Sequence, residues 1–585
     1  MMGDSGDFSP MQLLEDDLYD EDQETRVKAM RRVCTIAAAL GPEQAREDLV
    51  PFLNGCTEDD DEILLVLAEE LGKFVPLVGG PEHAVSLLEP LEKLAEVEET
   101  VVRDRATESI CRIVEVLPAD QSDEVFGLVK RLAHGDWFTA RVSSCSLMAT
   151  SYKSIQDGEQ KNEIRTLYEN LAKDDTPMVR RAAAGKLADF AGAVELTVVV
   201  QELLPIYRGL AADDQDSVRV LAIQATSLIA SQLQKNNMDQ DNLTIVLPVV
   251  RAAVEDRSWR VRHAITKDFF QISEAMGTMV TTNELLQCFN NLIQDQEAEV
   301  RAASLYSVPG YCDLVGQALF VQHIMPNITA LLQDQNLNVR TALSKACMEL
   351  AGKLGQEHTT IHIVPLLQTF LRDDSPEVRL RILNQLEVIA AWMPAIGETI
   401  LPMLMELAHD QNWRVRKAVV CCLPVLAESM GVDYFETNLL DLYLQAYTDR
   451  VFEVRLGATN GLSKISKVCG VDWLEKQVLP RIKYFYENSN FYLIRITVVE
   501  ALKTLAQDGV SSSLMSEVVA LLVKSCRDST PNVRFVGALA LAYVASHADD
   551  AAVQSQIRPC LTELMQTDAD ADVKYFASKA LESVG

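Results

Sequence analysis

The feature that most constrains this chain is a repeat. The stretch Asp334-Gln335-Asn336-Leu337-Asn338-Val339-Arg340-Thr341-Ala342, followed by Leu343 and Leu350, reads as a polar turn leading into an amphipathic helix. Its skeleton is an acidic residue, four variable positions and then Val-Arg-x-Ala or a close substitute. With Arg340 as the marker, the equivalent positions are Lys28, Leu64, Arg103, Arg141, Arg180, Arg219, Arg262, Arg301, Arg340, Arg379, Arg416, Arg455, Arg495, Arg534 and Lys574. These 15 copies stand 36 to 43 residues apart, most of them 39. Such a period is the signature of stacked helix pairs, each burying its apolar face only against its neighbours. The expected fold is therefore all-α: an alpha-alpha superhelix, a solenoid of 15 tandem repeats. Residues 1–10 read as a disordered lead-in and 11–585 as one continuous stack, with no Pro/Gly/Ser linker to interrupt it.

Each copy divides in the same way. Pro51, Pro90, Pro205, Pro248, Pro326, Pro365, Pro402 and Pro480 lie 13 to 15 residues before their markers, near the start of a first helix. Proline there is tolerated in a first turn, or kinks the helix where another turn precedes it. The intervening turn is clearest in Asp174-Asp175-Thr176-Pro177, Asp373-Asp374-Ser375-Pro376 and Asp528-Ser529-Thr530-Pro531. Ser or Thr is expected to cap the second helix there, with Pro at its first position. The polar segment Gln234 to Asn242 is expected to be a loop that absorbs the long spacing between Arg219 and Arg262.

Six residues before the marker stands an Asp in eleven of the fifteen copies: Asp22, Asp174, Asp213, Asp256, Asp295, Asp334, Asp373, Asp410, Asp449, Asp528 and Asp568. Stacking brings these like charges together unless opposite charges intervene. The expected solution is a ladder in which the Asp of one repeat meets the Arg of the next, fixing register between repeats. The alternative is a set of separate contacts inside each turn.

Composition narrows the function. A net charge of −32 argues against nucleic acid, whose phosphate backbone wants a basic stripe, and equally against an anionic membrane surface, so neither is an expected partner. No run approaches the roughly 20 apolar residues of a membrane helix, and the acidic N-terminal stretch lacks the form of a secretory signal. The twelve cysteines include no C-x-x-C and mostly occupy apolar helix positions, as small buried hydrophobes do in a reducing compartment. Of eight histidines, only His358 and His362 have metal-like spacing, and no third ligand completes a site. Walker, dinucleotide-binding, nucleophile-elbow and kinase motifs are absent, so no catalytic residues, cofactor or metal are expected.

The turns carry the exception to a bland surface. Trp137-Phe138, Pro177-Met178, Trp259-Arg260, Trp413-Arg414, Phe452 and Phe491-Tyr492 stand where small polar residues belong, and three of the chain's five Trp are among them. Trp and Arg held on a rigid ridge are the residue types that anchor protein interfaces.

At Asp410-Gln411-Asn412-Trp413-Arg414-Val415-Arg416, Asp256-Arg257-Ser258-Trp259-Arg260-Val261-Arg262 and Gly135-Asp136-Trp137-Phe138-Thr139, the sequence resembles the scaffolding A subunits of serine/threonine protein phosphatase type 2A, a family of fifteen tandem HEAT repeats. The resemblance runs over essentially the whole chain. It implies a non-catalytic horseshoe whose turns form a binding ridge. On it, repeats 11–15 hold a phosphatase catalytic subunit, while about repeats 1–8 hold interchangeable regulatory B-type subunits. Residue by residue, the resemblance places catalytic-subunit docking on Trp413, Arg414, Phe452, Phe491, Tyr492 and Pro531. It places regulatory-subunit docking on Glu98, Glu99, Trp137, Phe138, Pro177, Met178, Arg180, Arg181, Ser258, Trp259 and Arg260. Turn thirteen departs from the pattern, having Ser489 in the Asp column. A cytoplasmic location, with the nucleus as a second, is expected. The competing reading is a karyopherin-type HEAT transport receptor for basic cargo; such chains are usually longer and carry an acidic insertion that this one lacks.

Overall fold

In a computed structural model, the structure describes residues 10–390, 393, 396–506 and 511–584. The expected lead-in lies outside the described residues except for Pro10, which opens the helix Pro10–Leu18. Helices and turns make up the described chain, with no strand among the described residues. The chain is an all-α solenoid of helix-pair repeats. It falls into two compact units, Met1–Ser304 and Leu305–Gly585.

In the first unit the pair Gly158–Ala172 and Pro177–Ala191 shows why each repeat folds as it does. Ile164, Leu167, Tyr168 and Leu171 line one face of the first helix, while Val179, Ala183, Leu187 and Phe190 line the facing stripe of the second; all eight are buried. The Tyr168 hydroxyl donates to the Ala183 carbonyl at 2.7 Å, so a fully buried phenol keeps its hydrogen bond. In the second unit Tyr443 of the helix Leu440–Gln445 does the same toward Ala458 of the helix Phe452–Cys469.

The prolines fall after an existing turn rather than in a first one. Five-residue π-helical turns, among them Val199–Leu203, Asn242–Val246, Thr359–Ile363 and Leu474–Val478, run directly into the helices that carry Pro205, Pro248, Pro365 and Pro480 at the second position. Proline has no N–H for the ordinary bond and its ring crowds the carbonyl four residues back. A locally wider turn relieves both problems.

The segment 234–242 is mostly not a loop. The helix Thr226–Lys235 continues into it, a short turn follows, and the helix Asp239–Asp241 begins the next repeat. Asn237, at φ 58°, makes the reversal. Elsewhere glycine does so: Gly277 and Gly431 end the helices Phe269–Met276 and Trp413–Met430 at φ 82° and 90°.

That glycine column corrects the first marker. Gly277, Gly316, Gly355, Gly431 and Gly470 each stand 15 residues after their marker arginine, and Gly41, at φ 85°, stands 15 after Arg26. Arg26 also donates to the Asp20 carbonyl six residues back at 2.9 Å and pairs with Asp60 at 2.6 Å, as a marker arginine should. Lys28 is an exposed residue paired with Glu24. Asp20, rather than Asp22, therefore holds the column in repeat one; Asp22 caps the helix Gln23–Arg31 through the Thr25 N–H.

Candidate functional site

The turns are built around the marker arginines. Within the first unit, Arg141, Arg180, Arg219 and Arg262 pair with Asp174, Asp213, Asp256 and Asp295 at 2.6 to 2.8 Å. Within the second, Arg340, Arg416, Arg495 and Arg534 pair with Asp373, Asp449, Asp528 and Asp568 at 2.7 Å, and Arg379 with Asp410 at 3.1 Å. The ladder thus exists, but it runs in the opposite sense to the expected one: in each of these pairs the Arg of one repeat reaches the Asp of the following repeat. The local alternative is present as well. Arg180 Nη1 donates to the carbonyl of Asp174 at 2.9 Å and Arg416 Nη1 to that of Asp410 at 2.8 Å, each inside its own turn. One guanidinium therefore has enough donors to hold its own turn and the next one together.

The Asp column performs a second task. Asp174 Oδ1 accepts from Thr176 N at 2.8 Å, Asp373 Oδ1 from Ser375 N at 2.8 Å and Asp528 Oδ1 from Thr530 N at 2.8 Å. The aspartate closes the turn that Ser or Thr was expected to cap. Ser375 does add a cap, accepting from Glu377 N at 3.3 Å. Thr176 and Thr530 make no such bond, and their hydroxyls accept from Arg141 and Arg495 of the preceding repeat instead.

The electrostatics follow. Hydrogen bonding to Asp256 and Asp449 holds Arg219 and Arg416 above the usual guanidinium range. Burial pushes Asp256, Asp449 and Asp528 up, but the arginine and backbone N–H groups facing them outweigh it, and all three end below the usual carboxylate range.

On this frame the residues singled out from the sequence occupy different situations. Trp137 is 77% exposed, Met178 48%, Phe452 51% and Phe491 46%. Glu98, Glu99, Phe138, Pro177, Arg181, Arg260 and Arg414 are also exposed, while Tyr492 and Pro531 are half-buried. Trp259 and Trp413 are half-buried rather than outward. Arg260 lies over the Trp259 ring at 5.1 Å and Arg414 over the Trp413 ring at 4.6 Å, so each pair presents a stacked plate whose cation faces solvent. Arg180 is committed to the ladder through Asp213 and Asp214. Ser258 donates to Asp216 of the preceding turn at 2.8 Å.

The ridge carries further exposed apolar residues. Val101, 54% exposed, and Leu337, 37% exposed, stand two and three residues before their markers. Beside Arg414, a 550 Å³ cavity is lined by Pro376, Leu380, Arg381, Asn384 and Gln385. Counting back from each marker would have found Val101 and Leu337; the cavity needs the stacking of two repeats.

Among the described residues no group of three or more His, Cys, Asp or Glu is placed to hold a metal ion. His358 and His362 stack at 5.9 Å. All twelve cysteines are free thiols, six of them buried and Cys421 exposed. No helix among the described residues is long and apolar enough to cross a membrane.

Parts of the chain are similar to known proteins. A family model described as PPP2R1A-like HEAT repeat matches residues 278–355, and a HEAT repeat model matches 400–430. The Arabidopsis thaliana alpha isoform of the 65 kDa regulatory A subunit of serine/threonine-protein phosphatase 2A is 49% identical over 149 residues, 25% of each chain. The Rattus norvegicus beta isoform is 50% identical over 153 residues, 26% of each chain. The Schizosaccharomyces pombe regulatory A subunit of protein phosphatase PP2A is 35% identical over 279 residues, 48% of this chain and 47% of that one. The match thus spans about a quarter of the length of the first two relatives and just under half of the third. Among solved structures, the karyopherin Kap121p bound to the extreme C-terminus of the protein phosphatase Cdc14p superposes with a TM-score of 0.51 at 13% identity, covering 98% of this chain and 71% of that one. At that identity the likeness is one of fold alone.

Proposed function

We propose that this HEAT-repeat chain, whose curated homologues are 65 kDa regulatory A subunits of protein phosphatase 2A, is a non-catalytic scaffold that assembles a phosphatase from separate parts. A serine/threonine phosphatase catalytic subunit docks on the turns that carry Trp413, Arg414, Phe452, Phe491, Tyr492 and Pro531. A regulatory B-type subunit docks on the turns that carry Glu98, Glu99, Trp137, Phe138, Pro177, Met178, Arg181, Ser258, Trp259 and Arg260, with Arg180 holding their register. Two partners on one backbone meet at high effective concentration, and the regulatory partner orients substrate toward the active site. The chain works in the cytoplasm and the nucleus.

The observation that carries this reading is the plate of Trp413 and Arg414 on a turn pinned from behind by Arg416 and Asp449. The ladder removes the turn's freedom before a partner arrives, so little ordering entropy remains to be lost on binding. Karyopherin-like transport is the second reading. Its support is a fold likeness, whereas the sequence relatives carry phosphatase-subunit names. Affinity purification of the tagged chain tests both. Recovery of a phosphatase catalytic subunit supports the scaffold; recovery of a small GTPase in its place supports transport.

A further inference from the structure

The ladder leaves an open rung at Arg455. Among the described residues, the marker arginines of nine repeats direct Nη2 toward the column Asp of the next repeat, as Arg416 does to Asp449 at 2.9 Å and Arg495 to Asp528 at 2.8 Å. The residue in that column after Arg455 is Ser489. Arg455 is 1% exposed, yet among the described residues no carboxylate pairs with it. Its Nη1 donates to the Asp449 carbonyl at 2.7 Å and its Nε to Thr497 Oγ1 at 2.9 Å, while Nη2 makes no hydrogen bond among the described residues. Burial accordingly depresses its affinity for a proton. The neighbouring acids are engaged elsewhere: Asp449 with Arg416, Glu453 with Lys417, Glu487 with Lys524 and Asp528 with Arg495.

Ser489 has the opposite situation. Its Oγ accepts from Phe491 N at 3.2 Å, reproducing the turn closure that Asp174, Asp373 and Asp528 provide in their repeats, but it carries no charge. It sits half-buried between exposed Asn488 and Asn490, just ahead of the helix Tyr492–Ala506. Exposed Arg450 stands on the neighbouring turn. An anion tethered at position 489 has a route to Arg455, because the aspartates of that column point at their arginines in nine other repeats. After Arg103 the column residue of the next repeat is Gly135, which offers no group to modify.

We infer that Ser489 is a phosphorylation site whose phosphate completes the rung to Arg455. The donor is a nucleoside triphosphate bound to a protein serine kinase. Ser489 Oγ attacks the γ-phosphorus, the bond from that phosphorus to the β–γ bridging oxygen breaks, the diphosphate leaves with the electron pair, and the hydroxyl proton passes to the kinase's base. Phosphoserine brings nearly two negative charges and three acceptor oxygens to the N-terminus of a 15-residue helix. It draws Nη2 of Arg455 into the pairing made in nine other repeats and tightens the stacking of repeats twelve and thirteen.

The test has two arms. The chain is incubated with ATP and magnesium in a eukaryotic cell extract with serine phosphatases inhibited, and its peptides are mapped by mass spectrometry. Phosphate on Ser489 supports the site; its absence while other serines of the extract are labelled overturns it. In the second arm phosphoserine is incorporated at 489 and compared with Ser489→Asp and the parent, each with Arg455 intact or as Arg455→Gln. Both anionic forms should raise the thermal midpoint by about 1–3 °C, and Arg455→Gln should erase the gain. A gain that survives Arg455→Gln assigns the effect to the helix terminus and overturns the pairing. Should Arg455→Gln fail to fold, phosphorus NMR on the otherwise unaltered phosphoprotein decides: the second ionisation falls below about 6 if Arg455 is paired, and an unshifted value overturns the proposal.

Discussion

Arg416 and Asp449 meet across two successive repeats through two parallel bonds, Nε to Oδ2 at 2.7 Å and Nη2 to Oδ1 at 2.9 Å. The same aspartate accepts from Val451 N at 2.7 Å, and the same arginine donates to the Asp410 carbonyl at 2.8 Å. One pair of side chains therefore shapes two turns and fixes the distance between them. Both side chains are nearly buried, at 8% and 13% exposure. Removing either strands the other charge, so Arg416→Ala should destabilise the chain by about 3 kcal/mol, the low end for breaking a buried pair. Urea unfolding with a double-mutant cycle against Asp449→Ala checks it, and the double variant should cost less than the sum of the singles.

Acid should undo the ladder. Hydrogen bonding to Arg534 holds Asp568 below the usual carboxylate range, and Asp256, Asp449 and Asp528 end there despite burial. A folded-state value below the unfolded one gives stability that is fully present above the unfolded value, ~4, and lost as pH falls through the folded value. The thermal midpoint should therefore respond little to these groups between about pH 7 and 5 and fall below about 4. In Asp568→Asn the acid-dependent fall should be smaller, because one linked proton is gone.

Gly431 tests a different element of the repeat. It reverses the chain at φ 90°, and a Cβ added there would meet no atom within 4 Å. The cost of Gly431→Ala is then backbone strain alone, on the order of 1–2 kcal/mol. A midpoint change near zero would show that this reversal has no left-handed requirement.

Much of this was legible in the sequence, for physical reasons that differ by element. The period and the apolar stripe were visible because each repeat solves the same packing problem. The existence of the Arg–Asp ladder was visible in a charge column that stacking could not tolerate unpaired. Its direction was not, since an Arg six residues beyond an Asp is as near in sequence to one neighbour as to the other. Lys28 stands out as the first marker in the sequence because Val27 precedes it as Val339 precedes Arg340; the glycine 15 residues later separates it from Arg26. Trp413 and Arg414 are neighbours in the sequence, but that adjacency does not say how their side chains lie. Only coordinates reveal that Arg414 lies over the Trp413 ring.

The plate makes the docking prediction specific. Arg414 is exposed and, among the described residues, makes no ion pair, so Arg414→Ala should change stability by no more than about 0.5 kcal/mol. Trp413 is half-buried, and Trp413→Ala should cost about 1 kcal/mol of stability. As a central interface anchor it should cost a further 2–4 kcal/mol of partner affinity, roughly thirty- to thousand-fold. Calorimetric unfolding beside a binding titration separates the two losses.

The most direct measurement is a titration of purified phosphatase catalytic subunit into the full chain and into Arg414→Ala, with the melting curve of each protein recorded alongside. The account predicts one-to-one capture by the parent chain, at least tenfold weaker capture by the variant, and superimposable melting curves. Absence of capture by the intact, folded parent chain, or equal capture by both proteins, would contradict it.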